Sequence, residues 1–156
     1  MPARPVFFRM LSSDQAEWLH PDGRVQHGPL AALADQATGA RPLMIVPGEA
    51  VILHPLIAPS RKRSTWARAV PYALEDQLAE DIDALHFVLG SALDEGRLPV
   101  AVIGHDTLRD WLQTCEQNGL TPAAAIPDPL LLPWRDGFWS VLLEPGRAVV
   151  RTGGWQ

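Results

Sequence analysis

At 156 residues, 47% hydrophobic and 20% charged, the chain has enough apolar material for the core of one domain, or of one domain and a fragment of another, which excludes wholesale disorder. Cys115 is the only cysteine, so an intrachain disulfide and a cysteine-based metal site are ruled out and a reducing compartment is expected. The net charge of −5 is split into +3 through Ala73 and −8 from Leu74 onward, a balance that argues against nucleic acid and suits a basic protein partner.

In chain order, Val6–Leu11 and Ala16–His20 read as strands around the turn Ser12-Ser13-Asp14. Asp22-Gly23 marks a second tight turn, which makes the N-terminus a β-meander. A short helix is expected from Leu30 to Thr38, with Pro29 at its first turn and Gly39 after its end. Arg41–Val46 and Ala50–Ile57 are further β segments around Pro47-Gly48. Ser60 is placed to cap a long helix, Arg61–Ala79, on which Trp66, Val70, Leu74 and Leu78 recur every fourth residue. Pro71 sits inside that helix, where a missing donor and a clash with the carbonyl of Ala67 predict a kink.

Leu85–Leu89 and Leu98–Ile103 read as paired strands around the loop Asp94-Glu95-Gly96-Arg97. A helix over Asp106–Asn118 presents Leu108, Trp111, Leu112 and Cys115 on one face and stops at Gly119. Pro122–Ile126 is a strand and Pro127-Asp128-Pro129 a rigid connector. Trp139–Leu143 and Ala148–Arg151 form a hairpin around Pro145-Gly146, expected to open a second lobe. Met1–Met10 lacks the pattern of a signal peptide. The longest apolar stretch, Pro122–Trp134, is broken by prolines and Asp128 and falls short of the ~18–20 residues a membrane span needs, so the chain is expected to be soluble.

Glu75, Asp76, Glu80, Asp81 and Asp83 place five acids in nine residues. Carboxylates so close repel one another, which makes them a candidate docking patch, or else a solvated helix end. A two-metal nuclease centre fits them poorly, because such centres gather carboxylates from separate elements around one cleft. Arg61-Lys62-Arg63 could meet anionic lipid or phosphate, although a solvated surface turn is the better account of them. His20, His27, His54, His86 and His105 show no ligand spacing, Ser12, Ser13, Ser60, Ser64, Ser91 and Ser140 no nucleophile context, and Cys115 reads as a buried thiol. No phosphate-cradling glycine loop is present, so no catalysis, metal or cofactor is expected.

One stretch is more specific. Pro71-Tyr72-Ala73-Leu74-Glu75-Asp76-Gln77-Leu78-Ala79-Glu80-Asp81, followed by Leu85-His86-Phe87, closely resembles the L protein family of the bacterial type II secretion system. Val46-Pro47-Gly48-Glu49, Val100-Ala101-Val102-Ile103, Asn118-Gly119-Leu120, Pro127-Asp128-Pro129-Leu130-Leu131-Leu132-Pro133 and Val149-Val150-Arg151-Thr152-Gly153 agree in order.

The resemblance implies a mixed α/β, RNase H-like fold related to actin-like ATPases, with a first lobe over 1–132 and the opening hairpin of a second, truncated lobe over 133–156. It also implies a full-length protein that crosses the inner membrane once, with this part on the cytoplasmic face. Its implied role is a non-catalytic scaffold that recruits the secretion ATPase through that ATPase's N-terminal domain and joins other platform proteins, leaving room for a homodimer. On that reading the acidic run is the partner-binding patch. The alternative is an actin-like nucleotide-binding ATPase, which would need an acid and a glycine turn after the first strand, where Ser12-Ser13-Asp14 stands without glycine. An RNase H-type nuclease would need a carboxylate inside that strand, at Phe8 or Arg9.

Overall fold

The computed structural model describes residues 3–60, 62–93 and 96–154. Arg61 of the basic run and Asp94 and Glu95 of the expected loop lie outside them, as do Met1, Pro2, Trp155 and Gln156. The chain divides into two compact units, one of residues 1–47 with 109–131, the other of 48–108 with 132–156.

The first unit is built on β1 (Pro5–Met10), β2 (Gln15–Leu19), β3 (Val25–Pro29), β4 (Arg41–Val46) and β8 (Ala124–Pro127), in the spatial order β3-β2-β1-β4-β8. β1, β2 and β3 are the expected meander, antiparallel in register, with Phe8 opposite Trp18 and Trp18 opposite Gln26. β4 runs parallel to β1, and β8 runs parallel to β4.

Alternation puts Val6, Phe8, Ala16 and Trp18 among the buried residues of this unit. The helix α1 (Leu30–Gln36) follows Pro29 directly and buries Leu30 and Leu33 completely. The Trp18 indole Nε1 donates to Gln36 Oε1 at 3.2 Å, so the ring is buried without an orphaned donor. Gly28 leaves room for that ring, since a Cβ there would lie 3.3 Å from it.

Most of α3 (His105–Gln117) belongs to this unit. Cys115 is its buried residue, with Sγ 3.8 Å from Met10 Sδ. The helix ends in a Schellman arrangement, with Leu120 N donating to Cys115 O, Gly119 N donating to Glu116 O, and Gly119 at φ 76°. Its apolar face is only partly covered: Leu108 and Trp111 are half-buried and Leu112 is 40% exposed.

The second unit holds a three-stranded antiparallel sheet, β5-β7-β6, made from β5 (Ile52–Ile57), β6 (Leu85–Leu89) and β7 (Arg97–Gly104). The two β segments flanking Pro47-Gly48 therefore belong to different sheets, and Gly48–Ala50 is a 3-10 turn between them. β7 is central and buries Leu98, Val100 and Val102. Against it packs α2 (Trp66–Leu74), whose Trp66, Val70 and Leu74 join Leu85 and those three β7 residues in one core cluster. The hairpin β9 (Ser140–Glu144) and β10 (Arg147–Arg151) turns at Gly146, φ 73°. Val149 is buried, while Trp139, Val141, Leu142 and Leu143 are exposed.

The long helix expected over Arg61–Ala79 is corrected by the structure. Ser60 does not cap it; its hydroxyl lies 2.7 Å from Thr65 Oγ1 and accepts from Lys62 N, closing a turn of its own. A 3-10 turn, Arg63–Thr65, leads into α2, and a second, Glu75–Gln77, follows it. Leu78 is extended (φ −106°, ψ 143°), which ends the helical path before Ala79. Pro71 lies within α2 and leaves that turn without one backbone donor. The apolar stripe was legible because packing on β7 needs every fourth residue; the ends were not, because local turns compete with the helix there.

Trp66 is 7% exposed, and its indole Nε1 donates to Ser60 O at 2.8 Å. Trp66→Ala removes a buried aromatic and orphans that carbonyl, and is expected to cost about 3–5 kcal/mol. Urea denaturation of the two proteins checks this; a variant that unfolds at the wild-type midpoint would contradict the packing described.

Candidate partner-binding surface

The acidic run lies on a segment tied down by apolar side chains. Leu74 and Leu85 are buried at its two ends, and Leu78 packs against the same cluster partway along. Between these anchors the backbone has no choice but to turn outward, and Glu75, Asp76, Glu80, Asp81 and Asp83 are all exposed. Glu75 and Asp76 sit in the 3-10 turn after α2, Glu80 and Asp81 in the connecting loop, and Asp83 in the 3-10 turn Ile82–Ala84. They do not share a helix end, as the spacing had suggested. Among the described residues no basic side chain forms an ion pair with any of the five.

The five are not equivalent. Asp81 accepts from Asp83 N at 2.9 Å and caps the turn Ile82–Ala84, so its carboxylate has a local structural partner. That role was readable in principle from an Asp two residues before Asp83 ahead of an apolar strand. Among the described residues Glu75, Asp76, Glu80 and Asp83 show no such use of their side chains.

The remaining sequence candidates stand apart from this surface chemically. In the turn after β1, Ser12 Oγ donates to Asp14 Oδ1 at 2.7 Å and accepts from Gln15 N at 3.1 Å. The hydrogen bonds from Ser12, and then from Gln15, hold the Asp14 carboxyl below its ordinary range. Inside β1 Phe8 is 1% exposed, and Arg9 pairs with Glu17, which also lies 3.5 Å from His27 Nδ1. At the second turn Arg24, with help from His20, lowers Asp22 to about 2.

Lys62 and Arg63 are exposed, and the Arg63 guanidinium lies 5.9 Å from the centre of the Trp66 ring. His86 and His105 meet edge to face at 5.7 Å. Burial pushes the Cys115 thiol up to about 11, the behaviour of an inert core cysteine. Arg147 of β10 pairs with Glu49 at 2.8 Å and Glu144 at 3.1 Å, which the sequence alone did not indicate. Among the described residues no cluster of three or more ligating side chains exists, and no helix is long and apolar enough to cross a membrane.

The sequence model of the family described as type II secretion system (T2SS), protein L matches residues 4–155. Type II secretion system protein L of Dickeya chrysanthemi is 35% identical over 142 residues, covering 84% of this chain and 35% of that protein. The protein of the same description from Pseudomonas aeruginosa is 34% identical over 127 residues, covering 80% and 33%. The chain thus spans about a third of the length of the curated relatives it matches.

Among solved structures, the cytoplasmic domain of EpsL, an inner membrane component of the type II secretion system of Vibrio cholerae, superposes with a TM-score of 0.79 at 20% identity. That match covers 97% of this chain and 68% of that one. The PilM-PilN type IV pilus biogenesis complex gives 0.59 at 17% identity, covering 83% and 49%. These likenesses establish the expected RNase H-like, actin-related α/β fold.

The capping geometry separates Asp81 from its neighbours. Asp81→Ala is expected to lose about 1 kcal/mol of stability, whereas Glu80→Ala changes nothing measurable. Paired chemical melts decide between this and a run of interchangeable surface acids.

Proposed function

The chain belongs to the type II secretion system protein L family, and from that premise we propose that it is a non-catalytic scaffold recruiting the cytoplasmic secretion ATPase through that ATPase's N-terminal domain. On this reading it works at the cytoplasmic face of the bacterial inner membrane and joins the ATPase to the other platform proteins. The observation that carries it is the exposed acidic run, unpaired among the described residues and held on a rigid apolar footing. Fixed carboxylates with no internal counter-charge attract a basic protein surface at little reorganisation cost.

The nucleotide-binding alternative finds less support. The turn after β1 is closed by its own Ser12 and Asp14 side chains, and the strand carries a buried Phe8 and an ion-paired Arg9 where a nuclease would hold a carboxylate.

Reversing Glu75, Glu80 and Asp83 to Lys, with the capping Asp81 left in place, tests the docking surface without disturbing the turn. Association with the ATPase's N-terminal domain, followed by surface plasmon resonance, is expected to slow by roughly tenfold at low salt and to converge on wild type as salt screens the field. The melting temperature stays where it was. Unchanged association at low salt would place the contact elsewhere.

Titration with ATP–Mg²⁺ is expected to release no binding heat, and phosphate release to stay at background. A saturable heat or steady turnover would favour the actin-like reading instead.

A further inference from the structure

A cleft of about 380 Å³ opens at the end of the first unit's sheet where β2 finishes and β1 and β4 begin. Its floor is apolar: Val6 and Trp18 are buried there, and the exposed Leu19 and Pro21 carry the apolar wall toward solvent. Two turns hold the rim. After α1, Ala37 is buried, Gly39 takes φ 75° and Ala40 N donates to Ala37 O at 2.9 Å, which reverses the chain and leaves Thr38 on the cleft. Arg41 N then donates to Arg4 O at 2.8 Å and ties the start of β4 to the residue before β1. On the other side His20 N donates to Arg24 O at 2.8 Å, closing the turn that carries His20 and Pro21.

The polar groups on this rim are donors. Arg4 brings a guanidinium that forms no ion pair among the described residues. Gln36 accepts the Trp18 indole N–H on its Oε1, which leaves the two N–H groups of its amide. Thr38 adds a hydroxyl. His20 Nδ1 lies 3.0 Å from Asp22 Oδ1, so its Nε2 is the nitrogen left for the cleft. No acid lines the cleft, and Asp22, joined to it through His20, is already paired with Arg24 at 2.6 Å.

A floor of apolar side chains under a rim of donors with no counter-charge suits an anion that carries an apolar body. The planar fork of Arg4 matches the two oxygens of a carboxylate. The volume falls within the range of small-molecule sites, roughly 300–1,000 Å³.

We propose that this cleft binds a small carboxylate with an aromatic or branched apolar body, the carboxylate taken by Arg4, Thr38 and the Gln36 amide and the body laid on Trp18 and Val6. The site uses none of the acids assigned to docking and stands independently of the scaffold reading.

Phenylacetate is the probe, titrated into the chain and followed by two-dimensional NMR. The Trp18 indole N–H, assigned through Trp18→Phe, reports on the floor, and the backbone amides of Thr38, Gly39 and Ala40 report on the rim. These signals are expected to move together and to saturate with a Kd of roughly 1 mM or tighter. Phenylacetamide keeps the ring without the charge and acetate keeps the charge without the ring; each is expected to bind roughly tenfold more weakly.

Arg4→Gln, at an exposed position that leaves the core untouched, is expected to weaken phenylacetate by roughly tenfold. Thr38→Val weakens it less, and Lys62→Gln, which removes an exposed cation from the second unit, changes nothing. Signals that fail to saturate, phenylacetamide or acetate binding as tightly as phenylacetate, or an Arg4→Gln protein that binds like wild type overturns the proposal.

Discussion

The second unit rests on one contact, the burial of Trp66, Val70 and Leu74 against Leu98, Val100 and Val102 of the central strand β7. Trp66 can take part because its indole donor is satisfied by the Ser60 carbonyl at 2.8 Å, which removes the cost of burying a polar atom. That packing fixes the rotation of α2 about its own axis. Rotation in turn decides which side chains reach solvent, and they are Arg68 and Tyr72 on the helix and the acids that follow it.

The acidic run is a consequence of the same constraint. Leu78 returns to the core after the helix breaks, and Leu85 begins β6 in the cluster. A chain pinned at Leu74, Leu78 and Leu85 must loop outward between them, so its carboxylates are held at the surface by their apolar neighbours. Asp81 then closes the last of these turns on Asp83 N. Structure and electrostatics are divided among neighbours that look alike in sequence: one acid organises the loop and four remain available.

The first unit supplies a frame whose first strand is given over to packing and pairing. β1 sits between an antiparallel and a parallel neighbour, the central position of the sheet. Its residues serve packing and pairing, with Phe8 in the core and Arg9 joined to Glu17 and, through it, to His27. The turn that follows is occupied by its own hydrogen bonds. A fold shared with pilus-biogenesis proteins therefore says little about activity here, and the surface chemistry carries the functional reading.

Period and punctuation made most elements legible before any fold was known. The alternation of Val6, Phe8, Ala16 and Trp18, the four-residue recurrence of Trp66, Val70 and Leu74, and the glycines at 23, 119 and 146 each express a local rule. Such rules act over a few residues, so they need no knowledge of distant partners. Choices made by those partners were not legible. The strands on either side of Pro47 read as two β segments around one turn, with no sign of their partners; β4 pairs with β1 and β8 while β5 pairs with β7, because pairing is settled by which edges meet. The helix was read past Leu74 because Leu78 continues the stripe; only in three dimensions does an extended Leu78 reach the same core. Local rules were thus enough for the elements, their apolar faces and the acidic run, and the resemblance carried by 71–81 for the family. The ends of α2, the exposure of Tyr72 and the separate role of Asp81 waited on the folded chain, since each depends on side chains remote in sequence competing for the same buried surface.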